Sequence, residues 1–323
     1  MKITVAICTW NRAALLDRTL SALRNLRIPP DVQWEVLVVN NRCTDTTDDV
    51  IARHEGSLPI RRLFETRQGH SYARNRAVAA ATGDLIIWTD DDVVVDEAWL
   101  SEYAREASGC TDAAFFGGTV EPLYAVEPPH WIRRHILRLN PYVITQHGPG
   151  TRPLQRDEPI AGANMAFRTD VLRRYPFNVA LGRVADSLVG ADDTELVGRL
   201  KADGLKGVWI GGAKVQHCIE EDRLTLDYVR RWYVGAGRTH YRLHGLPPGR
   251  RLYGVPIWVL RQYAVDTVRS WCGFPFKGAK WVEAFRSAAI LWGMILEART
   301  DYRAERFQGR TVAEPPSPTS RPK

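Results

Sequence analysis

The stretch Leu85-Ile86-Ile87-Trp88-Thr89-Asp90-Asp91-Asp92 decides the fold. Four large apolar residues followed by a polar end read as a short strand buried on both faces, as in a parallel sheet with helices on each side. In open α/β sheets, ligands bind beyond the carboxyl ends of the strands, which is where Asp90 to Asp92 fall. Three adjacent carboxylates repel one another, raise one another's pKa and cost stability unless a cation is present. The pattern therefore predicts a hard divalent ion on oxygen ligands, Mg²⁺ or Mn²⁺, with positions left for phosphate. The alternative is a solvated acidic turn that caps a helix at Asp96.

Working outward, Ile3 to Cys8 is an apolar run, Leu15, Leu16, Leu20, Leu23 and Leu26 follow at helical spacing, and Glu35 to Val39 is a second apolar run. A helix over Thr44 to Ala52, a strand over Ile60 to Phe64 and an Ala-rich helix over Ser71 to Ala81 complete a repeating β-α pattern. The expectation is an α/β fold with a mixed, mostly parallel, Rossmann-like sheet between helices. Downstream, Glu121 to Pro159 is Pro-rich and carries His130, Trp131, Arg133, Arg134 and Arg138, reading as an excursion rather than core. Ala161 to Phe167 and Gly207 to Cys218 read as strands, and Asp192 to Lys201 as a helix. After Arg223 the pattern is helical and aromatic, over Tyr228 to Tyr241, Val255 to Val268 and Trp281 to Leu296. The expected organisation is an α/β domain over 1–222 whose first hundred residues look like a nucleotide-binding half, a helical aromatic and basic extension over 223–308 and a Pro-rich disordered tail over 309–323.

Composition narrows the class. The 323 residues carry a net charge of +7 and are 45% hydrophobic, which excludes a disordered chain and suits a protein that meets something anionic. Five scattered cysteines with no C-x-x-C pair argue against a disulfide framework or a thiolate zinc site and for a reduced, cytoplasmic setting. No export signal is visible, and no apolar run approaches the roughly 18 residues that a spanning helix needs. Neither G-x-G-x-x-G nor G-x-x-x-x-G-K-[ST] occurs, so any diphosphate is held by something other than a glycine loop, and metal plus arginine is the economical alternative.

Six strings resemble the ordered motif set of family 2 glycosyltransferases: Val5 to Arg12, Val38 to Thr47, Ser71 to Ala77, Ala81 to Asp92, Gly162 to Arg168 and Ala191 to Leu196. The resemblance spans about two thirds of the chain in the right order. It implies the GT-A fold with a C-terminal helical extension, and transfer of one sugar from a nucleoside-diphosphate sugar to an acceptor hydroxyl, with inversion. It also implies site residues. Thr9 and Asn11 line the nucleotide pocket, while Asn40 and Asn41 stand where the family commonly has acids that meet the base. Arg74 and Asn75 match a segment near the donor, where a guanidinium can grip phosphate in bidentate fashion. Asp90, Asp91 and Asp92 match the aspartate motif that touches ribose and holds the ion, with Asp90 and Asp92 preferred as metal ligands. Gly162 to Met165, Asn164 included, lie beside the transferred sugar, where a missing side chain lets the backbone approach. Asp192 and Asp193 occupy the catalytic pair, with Asp193 the base, or alternatively the N-cap of the following helix. His217 resembles a histidine that completes the metal site, or else it packs structurally. Rivals are a nucleotidyltransferase, which would need a Gly- and Lys-rich phosphate loop, and a non-catalytic nucleotide-sugar-binding membrane adaptor.

The C-terminal third mixes Trp258, Tyr263, Trp271, Phe276, Trp281 and Trp292 with Arg261, Arg269, Lys277 and Lys280. Aromatic residues with cationic neighbours suit the headgroup level of an anionic membrane. The expectation is a lipid-linked or polysaccharide acceptor and peripheral contact with the inner face of the cytoplasmic membrane, the alternative being helices that only pack on the α/β domain or make a dimer, and no nucleic-acid partner.

Overall fold

The computed structural model describes residues 1–182 and 192–308, with side chains as far as residue 304. Ala191 of the last motif and the tail expected over 309–323 lie outside the described residues. Two compact units are present, Met1–Val229 and a second from Arg230 onward.

In the first unit, β1 (Lys2–Thr9) pairs in parallel with β2 (Gln33–Asn40) and with β4 (Leu85–Trp88), and β2 pairs in parallel with β3 (Ile60–Phe64). The crossovers are α1 (Ala13–Leu23), α2 (Thr47–Glu55) and α3 (His70–Ala80), as the alternating pattern predicts. Leu16, Leu20 and Leu23 form the buried stripe of α1. Alternation along β1 sends Ile3, Val5 and Ile7 into one core and Ala6 into the other, so the sheet is covered on both faces.

Beyond β4 the sheet becomes mixed. Its order is β3-β2-β1-β4-β8-β6-β9-β5, with β5 (Val93–Val95), β6 (Ala113–Tyr124), β8 (Met165–Arg168) and β9 (Lys206–Ile219). The short β7 (Thr151–Pro153) pairs with β9. Strand β8 runs antiparallel to both β4 and β6, while β6 and β9 are parallel. Helices α4 (Trp99–Gly109), α5 (His130–His135), α6 (Thr169–Arg174) and α7 (Asp192–Ala202) complete the unit.

Two expectations need correction. Strand β6 was not anticipated, and it runs through Glu121 to Tyr124, where the excursion was expected to begin. The excursion is also partly core: Trp131, Ile132 and Tyr142 are buried. Prolines break regular structure without preventing the large apolar residues between them from being buried. All five cysteines are free thiols.

The second unit contains most of α8 (Leu226–His244), a two-strand ribbon of β10 (Arg251–Leu252) and β11 (Val255–Pro256), α9 (Ile257–Gly273) and α10 (Ala279–Gln308). Val255, expected to open a helix, pairs in the ribbon instead, because Pro256 cannot supply an interior helical N–H and serves as the N-cap of α9. Gly237 and Gly293 let α8 and α10 touch backbone to backbone: a Cβ at either would run into the carbonyl of Ile290 or of Val234. No helix among the described residues is long and apolar enough to cross a membrane.

Candidate active site

The site lies in the first unit, at the carboxyl ends of β1, β2 and β4. Thr89 to Asp92 leave β4, and β5 follows immediately. Strand β5 pairs antiparallel with β9, so that His217 stands opposite Val93 and the Cys218 amide donates to Asp92 O at 2.8 Å. Backbone pairing thus brings Asp92 and His217 together.

Asp91 and Asp92 are buried and well partnered. Thr9 Oγ1 donates to Asp91 Oδ2 at 2.8 Å, and Arg12 Nη1 reaches Asp91 Oδ1 at 2.9 Å and Asp92 Oδ2 at 3.1 Å. Arg223 Nη2 donates to the same Asp92 oxygen at 3.0 Å. The positive charge that these carboxylates need therefore comes from Arg12 and Arg223, which corrects the expectation that only a bound cation makes them tolerable. Burial pushes the Asp91 carboxyl up. Burial acts the same way on Asp92, but the His217 imidazole, Arg223 and Arg12 outweigh it and hold this carboxyl well below the usual range.

Two atoms in this cluster fit a divalent ion. Asp92 Oδ1 is buried and accepts no hydrogen bond, and His217 Nε2 lies 3.5 Å away with Arg223 Nη1 3.4 Å from that nitrogen, so an ion there would have to displace the guanidinium. Tyr142 O, 2.9 Å from His217 Nδ1, can only accept, so Nδ1 carries a proton and the ring is held with Nε2 toward Asp92. Asp90 does not join them, since no group of three His, Cys, Asp or Glu side chains suited to a metal gathers among the described residues. An ion on Asp92 and His217 would have to complete its shell with water and phosphate oxygens, as Mg²⁺ commonly does. Asp90 is half-buried, and its charge is felt by Arg12 on one side and by Arg74 and Asp193 on the other.

The second cluster joins α3 to the start of α7. Arg74 is 2% exposed, lies over the rings of Trp88 and Phe177, and donates to Asp192 Oδ2 at 3.0 Å. It is committed to the interior and not free to grip a phosphate, contrary to expectation. His70 Nδ1 approaches the same Asp192 oxygen at 3.4 Å. Asp193 Oδ2 accepts the Gly162 amide at 2.9 Å, and its Oδ1 accepts the Thr194 amide at 2.7 Å. Burial opposes ionisation of Asp192, yet Arg74 and then His70 hold its carboxyl below the ordinary value. Asp193 moves the other way, pushed up by burial and then by the charge of Asp192. Gly162 is the hinge of this arrangement: a Cβ there would stand 2.7 Å from Arg74 Nη2 and 2.8 Å from Asp193 Oδ2.

Several expected donor residues support the pocket rather than line it. Asn40 is buried, donating to Asp48 and accepting from the Cys43 amide, and Asn41 donates to Glu65 O and Arg67 O while accepting from the Gly69 amide. Asn75 exchanges two hydrogen bonds with the backbone of Phe177. Asn164 is wholly buried; it accepts from Trp99 and Tyr103 and donates to Thr119 O and Ala213 O. The Asn164 amide is fully used and has nothing left for a ligand, while Asn40, Asn41 and Asn75 spend their described hydrogen bonds on pinning loops and strands. Asn11 is exposed in the left-handed region at φ 51°, and its side chain accepts the Thr44 amide at 2.7 Å. Arg12, Arg223, Tyr142 and His70 were not singled out from the sequence; only Arg12 carried a signal, as the last residue of the first motif.

Residues 4–175 match the family model described as Glycosyl transferase family 2. Succinoglycan biosynthesis protein ExoM of Rhizobium meliloti is 25% identical over 258 residues, covering 76% of this chain and 78% of that protein. Validoxylamine A glucosyltransferase of Streptomyces hygroscopicus subsp. limoneus is 33% identical over 109 residues, which span 33% of this chain and only 24% of that protein. Among solved structures, the mannosyltransferase PcManGT from Pyrobaculum calidifontis, in complex with GDP-Man and Mn²⁺, superposes with a TM-score of 0.53 at 18% identity over 96% of this chain and 80% of that one. S. aureus TarS 1–349 in complex with UDP-GlcNAc gives 0.55 at 16% identity, covering 94% and 92%. Both likenesses are to the GT-A fold.

Proposed function

The chain belongs to glycosyl transferase family 2, and from that premise we propose that it moves a single sugar from a nucleoside-diphosphate sugar to an acceptor hydroxyl with inversion. The observation that carries this reading is the geometry at the start of α7, where Asp192 is tied to the buried Arg74 while Asp193 is held by the Gly162 and Thr194 backbone amides. Two adjacent carboxylates whose surroundings drive their pKa values apart divide into a permanent anion and a proton acceptor. Asp193 is the base, and Asp192 keeps Arg74 in place. The acceptor oxygen attacks the anomeric carbon from the face opposite the diphosphate as Asp193 takes its proton. The bond from that carbon to the phosphate oxygen breaks, and its electron pair departs with the nucleoside diphosphate.

A divalent ion, Mg²⁺ or Mn²⁺, held by Asp92 and His217, would supply Lewis-acid neutralisation of the departing diphosphate. Arg12, whose side chain is one-third exposed, orients Asp91 and Asp92. Asp90 is the carboxylate available to the donor's ribose. The acceptor belongs to a lipid-linked or polysaccharide pathway, and the protein acts as a peripheral protein at a membrane surface.

Incubation with Mn²⁺ and a panel of UDP- and GDP-sugars, with released nucleoside diphosphate as the readout, tests this. Release from one donor, lost in D193N with donor affinity intact, is expected. Binding without release would instead favour a non-catalytic nucleotide-sugar adaptor, and near-normal turnover by D193N would remove Asp193 as the base.

A further inference from the structure

Nine of the 14 large apolar side chains exposed among the described residues fall between Leu252 and Phe276. They are not scattered within that stretch. Along α9, Ile257, Arg261, Val265, Val268 and Trp271 recur at intervals of three or four residues and are all exposed, while Val259 and Asp266 face inward. The inward side is settled: Val255 and Val259 pack with Ile295 and Ala298, Tyr263 stacks on Trp292 at 5.3 Å, and Asp266 accepts from Gln262 and Ser287. The outer stripe continues past the end of the helix into Phe274 and Phe276, 48% and 82% exposed, with Trp271 at 83%. Exposed aromatic side chains in a contiguous row are unusual on a soluble surface and mark a contact site.

The charge around the stripe identifies what it contacts. Residues 250–280 contain Arg250, Arg251, Arg261, Arg269, Lys277 and Lys280, and the sole acid among them, Asp266, is buried. A second copy of this chain would set one basic face against another, which disfavours self-association through this surface. An anionic bilayer matches both features, since aromatic and aliphatic side chains enter the headgroup boundary while Lys and Arg meet phosphate. We infer that the outer face of α9 and the turn through Lys277 form an interfacial docking surface for anionic phospholipid. The helix lies flat, with Trp271 and Phe276 as anchors. This rests on the membrane part of the function proposed above, but not on its chemistry.

Cosedimentation of the full chain with large unilamellar vesicles tests the surface. Binding to vesicles of 30% phosphatidylglycerol in phosphatidylcholine, and its absence with pure phosphatidylcholine, is expected. W271A/F276A and R261E should each weaken that binding at least about tenfold, while melting temperature and release of nucleoside diphosphate in solution stay at wild-type levels. Undiminished binding by both variants, or none by the wild type, overturns the proposal. So does a dimer in size-exclusion chromatography that W271A/F276A dissociates while vesicle binding is absent. Donor consumption without vesicle binding removes this surface alone; vesicle binding without donor consumption removes the transferase chemistry and leaves the surface standing.

Discussion

Gly162 donates its amide to Asp193 Oδ2 across 2.9 Å, at the point where Arg74 also converges. The proposed base is thereby positioned by backbone from another segment of the chain, and a Cβ on that glycine would crowd both Asp193 and Arg74. Arg74 cannot withdraw, because it lies over Trp88 and Phe177 and is tied to Asp192. In G162A the base must move. Steady-state kinetics should show kcat lowered about 10- to 100-fold with donor KM less affected; an unchanged kcat would mean that Asp193 has room the structure does not show.

The pairing of Arg74 with Asp192 predicts an asymmetry in stability. R74A leaves a buried carboxylate without its partner and should destabilise the protein by about 3 kcal/mol or more in chemical denaturation. Removing both charges with R74M/D192L should cost less than R74A alone, since apolar groups of similar volume can replace a buried pair. If the double variant is the weaker one, the pair is a net source of stability.

A pH profile reads the same cluster. Asp193 must be ionised to accept a proton, and burial followed by the Asp192 charge pushes its pKa up, so the acidic limb of kcat/KM should lie above that of an ordinary carboxylate. D192N removes a negative neighbour and frees Arg74 to face Asp193. Both changes favour the ionised base, so the limb should move to lower pH. A limb that rises or stays in place would point to another group. For folding the sign of Asp192 is the opposite of Asp193: its pKa is held down, so its contribution is present above the unfolded carboxylate value and is lost as pH falls toward the folded one.

Asp92 and His217 give a metal prediction with a binding readout. H217A should weaken Mn²⁺ binding at least about tenfold by calorimetry, and D92A should abolish the increase in donor affinity that Mn²⁺ brings. D92A also leaves Arg223 without its carboxylate and Arg12 with Asp91 alone, so affinity for donor without metal should rise or hold while the Mn²⁺ effect disappears. An unaltered Mn²⁺ response in D92A would place the ion elsewhere.

The inner strands of the parallel half are legible in the sequence because they are buried and read as apolar runs, as Leu85 to Trp88 does residue for residue; the edge strand Ile60 to Phe64 also matches its expected bounds, although Arg61 and Arg62 interrupt its apolar residues and it is partly exposed. The acidic end of β4 and the carboxylate pair at α7 are legible for the same reason, each being adjacent to a clear element. What escapes is pairing across the chain. Arg223 reaches Asp92 over 131 positions, and Arg74 reaches Asp192 over 118. Nothing local distinguishes an arginine that will be buried on a carboxylate from one that stays in water. Asn164 shows the converse: its place in a motif suggested a ligand contact, whereas four interior hydrogen bonds absorb it.

The meeting of Asp92 with His217 depends on how two strands are aligned, and that limits what can be changed in this enzyme. Side chains alternate between the faces of a strand, so inserting or deleting one residue in β5 or early in the matching part of β9 would turn the imidazole away from the carboxylate while both residues remained in the polypeptide. Chimeras built from other members of the family must keep the length of these two segments if the proposed metal site is to survive the exchange.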